Sequence, residues 1–162
     1  MLRYTETQIV FQEVPDEITL AINITGCPIR CTGCHSKHLW ENTGEILDFE
    51  SVEKLIASKP GITCLAFMGG DADPKSVSEL SRHVKSKYGL KTCWYSGQNT
   101  PQAEKYASSF DFLKTGPYDE KYGPLDSKTT NQRFYRISYN PFTESTELND
   151  ITYKFQNDKI SN

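Results

Sequence analysis

Three of the five cysteines in this chain, Cys27, Cys31 and Cys34, fall within eight residues in the spacing CxxxCxxC. Thiolates this close in sequence can converge on one metal centre, and Gly26, Pro28 and Gly33 supply bends that wrap a backbone around it. The number of ligands separates the metals. A structural zinc closes its shell with four ligands, usually from two separated pairs, and no second CxxC or HxxxH pair follows here. A 4Fe-4S cluster held by three thiolates instead leaves one iron open for a further ligand. The plain alternatives are a zinc loop completed by His35 and incidental buried thiols.

The elements that must position this loop can be read from its flanks. Ile18 to Thr25, ITLAINIT, is a β-branched run that predicts a buried strand delivering the chain into the cysteines, so the loop sits at a strand's carboxyl end. Gln8 to Val14 predicts a preceding strand or hairpin arm. Asp48 or Ser51 caps a helix whose Val52, Leu55 and Ile56 share a face, and Pro60 and Gly61 end it. Ile62 to Gly69 predicts a second buried strand, Ser76 to Tyr88 an amphipathic helix closed by Gly89, and Lys91 to Gly97 a third strand. A short helix over Pro101 to Ser108 and a fourth strand over Phe110 to Gly116 complete the alternation. Strand and helix in turn imply an α/β fold with a parallel sheet and right-handed crossovers. Pro117 to Gln132 reads as loop, RFYRISYN as a further strand, and the polar tail from about 144 has one strand candidate, ITYKF, before a frayed end.

At 162 residues the chain is expected to form a single domain over 1-162. A complete eight-stranded α/β barrel takes roughly 250 residues, so a partial, open (βα) barrel or curved open sheet is expected. Such a sheet leaves one side uncovered, which suits a substrate that is a loop of another protein.

The predicted strand ends gather further polar residues. FMGGD places Gly69, Gly70 and Asp71 after the second strand: two glycines allow close backbone approach to a ligand, and the carboxylate can hold an ammonium group. Its plain reading is a strand-to-helix turn. Ser96 and Lys114 occupy the matching ends of the third and fourth strands, where sites of parallel α/β folds collect. Lys114 has a solvated surface lysine as its alternative. Cys64 and Cys93 lie inside apolar runs and read as small buried hydrophobes. His38 and His83 have no thiol or carboxylate context, and His83 is expected on an exposed helix face. The chain shows no Ser/His/Asp arrangement, P-loop or dinucleotide fingerprint.

With GCPIRCTGCH, FMGGD, CWYSGQ, LKTGPY and SKTTNQRFYRI in this order, the chain from about Gly26 to Ile137 resembles the radical S-adenosylmethionine superfamily. Within it the likeness is to the small glycyl-radical enzyme activases, most closely those of anaerobic ribonucleoside-triphosphate reductase. The resemblance implies a 4Fe-4S cluster on Cys27, Cys31 and Cys34 whose open iron chelates S-adenosylmethionine. One electron would then yield methionine and a 5'-deoxyadenosyl radical, which abstracts hydrogen from a glycine Cα of the partner. It also implies S-adenosylmethionine contacts from His35, Gly69, Gly70, Asp71, Ser96 and Lys114, with no catalytic side chain beyond the cluster ligands. The implied partners are the catalytic subunit of an anaerobic ribonucleoside-triphosphate reductase and flavodoxin or ferredoxin as electron donor. One departure is Gly33, where the superfamily usually has an aromatic residue before the last cysteine; His35 follows and is the candidate for adenine. The late stretch, with Asn131, Gln132 and Arg133, would close the cofactor site, contact the partner, or simply turn into a strand. The alternatives are an activase of another glycyl-radical enzyme, such as pyruvate formate-lyase, and a small zinc-binding interaction module.

Composition narrows the setting. Eighteen basic against twenty-one acidic residues give a net charge of -3, with no field to attract nucleic acid or an anionic membrane. No apolar run reaches about eighteen residues, and the N-terminus lacks a signal-peptide pattern. A cytoplasmic protein with reduced thiols is expected.

Overall fold

The computed structural model describes residues 1–31 and 33–156. They form an eight-stranded sheet in the order β3-β1-β2-β4-β5-β6-β7-β8. The strands are β1 (Arg3–Val10), β2 (Thr19–Ile24), β3 (Glu45–Ile46), β4 (Cys64–Met68), β5 (Lys91–Tyr95), β6 (Phe112–Thr115), β7 (Arg133–Asn140) and β8 (Ser145–Asp150). The middle four, β2, β4, β5 and β6, run parallel. The flanks do not, so the expected parallel sheet is limited to these four strands: β1 and β3 on one side and β7 and β8 on the other pair antiparallel. The cause is the connections. Each parallel step encloses helical crossover structure, whereas β1 to β2 is a short return, 117–132 between β6 and β7 holds no helix, and β7 to β8 is a tight turn. β3 and β8 are free edges, so the sheet is mixed and does not close.

The helices follow from local signals. Helix α1 (Phe49–Ala57) starts at Asp48, whose carboxylate accepts from the Ser51 amide at 2.9 Å while Ser51 Oγ accepts from the Asp48 amide at 2.8 Å, a reciprocal capping box using both expected residues. Helix α2 (Pro74–Tyr88) has Asp73 as its N-cap and proline in its first turn, and ends on Gly89 at φ 64, the left-handed conformation that glycine adopts without steric cost. Helix α3 (Thr100–Ala103) is one turn that runs on as a 3-10 turn over Glu104–Ser109.

Alternation along the strands divides the side chains into two unlike faces. On one, Ile22, Phe67, Trp94 and Leu113 form a cross-strand row of bulky residues, and Val52, Val77, Leu80, Val84 and Phe110 from the helical layer pack on this face. On the other, the neighbouring row begins Ala21, Ala66, Cys93. Small side chains leave this face room, and it is covered by Phe134 of β7 together with Val14 and Leu125 from connections and Ile151 and Phe155 after β8. Cys64 and Cys93 are fully buried here, and burial pushes the Cys64 thiol up to about 12 and Cys93 well above its ordinary value, so both are inert hydrophobes as expected.

Three further expectations are corrected. The first strand spans Arg3–Val10 rather than Gln8 to Val14, because pairing with β2 begins at Tyr4. The strand near the C-terminus is the polar Ser145–Asp150, and ITYKF is instead a 3-10 turn over Thr152–Phe155. That turn caps β7: the Phe134 amide donates to Thr152 Oγ1 at 2.8 Å and the Ile151 amide donates to the Phe134 carbonyl at 2.8 Å, which drives Ile151 and Phe155 inward. The end expected to fray includes 157–162, outside the described residues. His83 is half-buried, with Nε2 2.9 Å from Glu53 Oε1 and its ring 4.6 Å from that of Phe49. No helix among the described residues is long and apolar enough to cross a membrane.

Two stability outcomes follow. Phe134→Ala, which empties the centre of the second core, is expected to cost about 3–5 kcal/mol in urea unfolding, against about 1 kcal/mol for Asp48→Ala. Lys87 and His83 hold the half-buried Glu53 carboxyl below its ordinary 4.5. A depressed carboxyl stabilises above its unfolded value and loses that contribution as pH falls through the folded one. Glu53→Gln should therefore flatten the decline of melting temperature below pH 4.5, and an unchanged acid limb would show that the pair adds nothing.

Candidate metal centre and cofactor site

The cysteine loop begins one turn beyond β2 and is tied across its base. The Thr25 hydroxyl donates to the Thr43 carbonyl at 2.6 Å, the Gly26 amide to Glu41 at 3.2 Å and the Cys27 amide to Leu39 at 3.0 Å. Within the loop Gly26 and Gly33 take positive φ of 78 and 73, and Arg30 does so at 56 without being glycine. The Arg30 guanidinium lies 4.8 Å from the centroid of the Trp40 ring, an attractive cation–π placement that fastens the loop's centre to its base.

Cys27, Cys31 and Cys34 are all free and half-buried. The described His, Cys, Asp and Glu side chains form no group of three or more around a single ion position. A cluster places a different iron on each thiolate and so spaces them more widely than one ion would. The sulfur environment fits an anionic cluster. Burial pushes the Cys27 thiol up, while the Ile29 and Arg30 amides oppose that by hydrogen bonding to it, and the Ser36 amide donates to Cys34 Sγ at 3.3 Å. Backbone N–H groups turned toward sulfur are what thiolate ligands require.

Beside the loop stands the edge formed by β4, β5 and β6. Gly69 and Gly70 have φ of 109 and 92; a Cβ on Gly70 would sit 2.5 Å from Val77 Cγ2, so this close turn against α2 admits no side chain. Trp94 fixes the turn from the next strand, its indole N–H donating to the Gly69 carbonyl at 2.8 Å. Asp71 follows, 6% exposed, and its two oxygens accept from Ser96 Oγ at 2.5 Å and the Gly97 amide at 2.9 Å. Burial raises its carboxyl, and those two bonds with the Lys114 charge resist the rise.

Lys114 is 8% exposed, not a solvated lysine. Its Nζ donates to the carbonyls of Ser96 at 3.1 Å and Gly116 at 2.8 Å. Burial brings it down to about 8, against the opposing pull of Asp71, Cys31 and Cys27, so all four groups share one electrostatic neighbourhood. Gly69, Gly70, Asp71, Ser96 and Lys114 thus meet at the strand ends beside Cys27 and Cys31. His35 is exposed, with its ring 5.4 Å from that of Tyr118.

Sequence reasoning left the late stretch open, and the structure divides it. Gln132 is buried, with Nε2 3.4 Å from the Gly116 carbonyl that Lys114 also uses, and both line a cavity of about 390 Å³ with Glu13, Tyr95, Leu125 and Phe155. Asn131 Nδ2 holds the Pro117 carbonyl at 3.0 Å. Arg133 is engaged elsewhere, its Nε 2.9 Å from Asp150 across the β7–β8 pair. The sequence named Gln132 within a stretch whose role stayed open, because only β7 pairing with β6 returns residue 132 to Lys114; Tyr118 was not singled out, since its contact with His35 joins two loops distant in sequence.

Residues 18–140, well over half of the chain, match the family described as the 4Fe-4S single cluster domain. The chain belongs to that family. The matched span of this 4Fe-4S single cluster domain runs from the start of β2 to the end of β7 and so includes the cysteine loop, the parallel strands and Lys114. The chain is also 28% identical over 110 residues to the anaerobic ribonucleoside-triphosphate reductase-activating protein of Enterobacteria phage T4, covering 60% of this chain and 69% of that protein. The resemblance read from GCPIRCTGCH and the motifs after it is therefore borne out.

The Asp71 network is open to a direct check. Asp71→Ala leaves Ser96 and the Gly97 amide without their acceptor beside a buried lysine and should cost about 1–3 kcal/mol in chemical denaturation. Ser96→Ala, which keeps the Gly97 bond, should cost less; equal losses would place the strength of the network elsewhere.

Proposed function

We propose that this chain is an activase: it reductively cleaves S-adenosylmethionine at a 4Fe-4S cluster and generates a glycyl radical on the catalytic subunit of an anaerobic ribonucleoside-triphosphate reductase. The observation that carries the reading is one loop of three free thiols, with backbone amides turned toward the sulfurs of Cys27 and Cys34, that sets Cys27 and Cys31 in the electrostatic neighbourhood of Asp71 and the buried Lys114. The family match and the relative's name support it.

In this reading Cys27, Cys31 and Cys34 hold the cluster, which supplies one electron and an open iron for breaking the carbon–sulfur bond of S-adenosylmethionine. Gly69 and Gly70 let the cofactor approach the backbone. Asp71 presents negative charge toward its ammonium group and fixes Ser96 and Gly97, and Lys114 offers a charged donor to its carboxylate. His35, against Tyr118, is the candidate for adenine. The domain is a partial, open barrel of the radical S-adenosylmethionine type, and the cavity lined by Lys114 and Gln132 on its helix-free side gives a loop of the protein partner a route to the site. Flavodoxin or ferredoxin is the proposed donor in a cytoplasmic, anaerobic setting.

Anaerobic reconstitution with iron and sulfide, then dithionite and S-adenosylmethionine, tests this reading. Broad absorption near ~400 nm and 5'-deoxyadenosine are expected from the intact chain, and neither product nor intact cluster from Cys31→Ala. A colourless protein that takes up zinc and cleaves nothing would sink the activase and leave a zinc-binding module. Deoxyadenosine without transfer to the reductase would point to another glycyl-radical partner.

A further inference from the structure

Among the described residues, two buried side-chain polar atoms lack a hydrogen-bond partner, Thr19 Oγ1 and the indole Nε1 of Trp40. Thr19 is accounted for by the Cys64 thiol beside it. Trp40 is not. An indole N–H can only donate, and a buried donor left unpaired costs about 1–3 kcal/mol. Native structures carry few such groups, and each calls for a physical reason, one being an acceptor that the protein's own atoms do not supply.

The position of Trp40 narrows the acceptor. It is held at the base of the cysteine loop, between Leu39 and Glu41, whose carbonyls take the Cys27 and Gly26 amides. Its ring carries Arg30, the residue before Cys31, with Lys37 Nζ 5.9 Å from the ring centroid. Arg30 holds a left-handed backbone that costs a non-glycine residue energy, so this contact fixes how the loop sits over the ring. The chain's other tryptophan shows the contrast: Trp94 has its N–H satisfied by Gly69.

We propose that the Trp40 indole N–H is the hydrogen-bond donor to the sulfur shell of the 4Fe-4S cluster held by Cys27, Cys31 and Cys34, and that it raises the cluster's reduction potential. The inference rests on the cluster reading above and adds a tuning residue to it. A donor to sulfur stabilises the more negatively charged, reduced state more than the oxidised one, and hydrogen bonds to the sulfurs are among the terms that set such potentials. The acceptor is a cluster sulfide or a ligating thiolate; both carry the same chemistry.

The test uses the full chain, anaerobically reconstituted, with tryptophan labelled by 15N at the indole nitrogen. Pulsed electron paramagnetic resonance of the dithionite-reduced cluster should show an indole 15N coupling that disappears in Trp40→Phe. Phenylalanine keeps an aromatic face for Arg30 and removes only the donor. Redox titration should move the Trp40→Phe midpoint to a more negative potential, lowering the reduced fraction several-fold at the wild-type midpoint. A loaded wild-type cluster with no indole coupling overturns the inference and leaves the cluster reading intact, because the donor then serves water or another group. If Trp40→Phe fails to load, the wild-type coupling alone decides. A wild-type chain that takes up no cluster removes both.

Discussion

The carboxylate of Asp71 is the constraint on which the site depends. It ends the β4 turn, yet its partners are Ser96 and Gly97 beyond β5, and the Ser96 carbonyl in turn takes Lys114 from β6. One buried acid thereby binds the carboxyl ends of three parallel strands into a single edge. Because acid and ammonium are both almost fully buried, neither is tolerable without the other's field and the hydrogen bonds around it. The cysteine loop joins this edge through Ile29, whose side chain lies where a Cβ on Gly97 would reach, 2.9 Å from Cγ1.

The sheet's two faces divide the work. Large apolar residues against α1, α2 and the 3-10 turn after α3 make a conventional core, and most of the buried apolar area belongs there. The opposite face is built from alanines and cysteines at its centre and closed by connections rather than helices. Lys114 projects from this second face, in the row of Asn23, Met68 and Tyr95. The alternation that packs Leu113 into the helical core therefore turns Lys114 toward the cavity it shares with Gln132.

Bends and caps do the positioning at lower cost than burial. Positive φ at Gly69 and Gly70 reverses the chain within two residues, leaving Asp71 beside β5 while Asp73 begins α2. Arg30 reaches the same region of backbone space without glycine's freedom and is held there by Trp40. Strain next to ligand candidates is common where a loop must hold one shape for a guest.

Much of this was legible in the residues. CxxxCxxC after a β-branched run located the loop at a strand's end, periods of two and 3.6 located β2, β4, β5, β6, α1 and α2, and Asp48 and Gly89 marked helix ends, because each of these signals lies within a few residues of what it specifies. The antiparallel flanks, the polar edge strand at Ser145–Asp150 and the 3-10 turn at Thr152–Phe155 were not, since a strand's direction and an edge strand's pairing are set by neighbours far along the chain. The same holds at the site. Spacing alone named Asp71, Ser96 and Lys114 as residues at strand ends; only the register of β4, β5 and β6 decided that the acid meets the hydroxyl and that the lysine is buried rather than solvated, only the pairing of β6 with β7 returned Gln132 beside it, and only the ties across the base of the cysteine loop left Trp40 with an unpaired donor. Local sequence fixes period and turn, whereas which buried polar groups face one another is a property of the packed sheet.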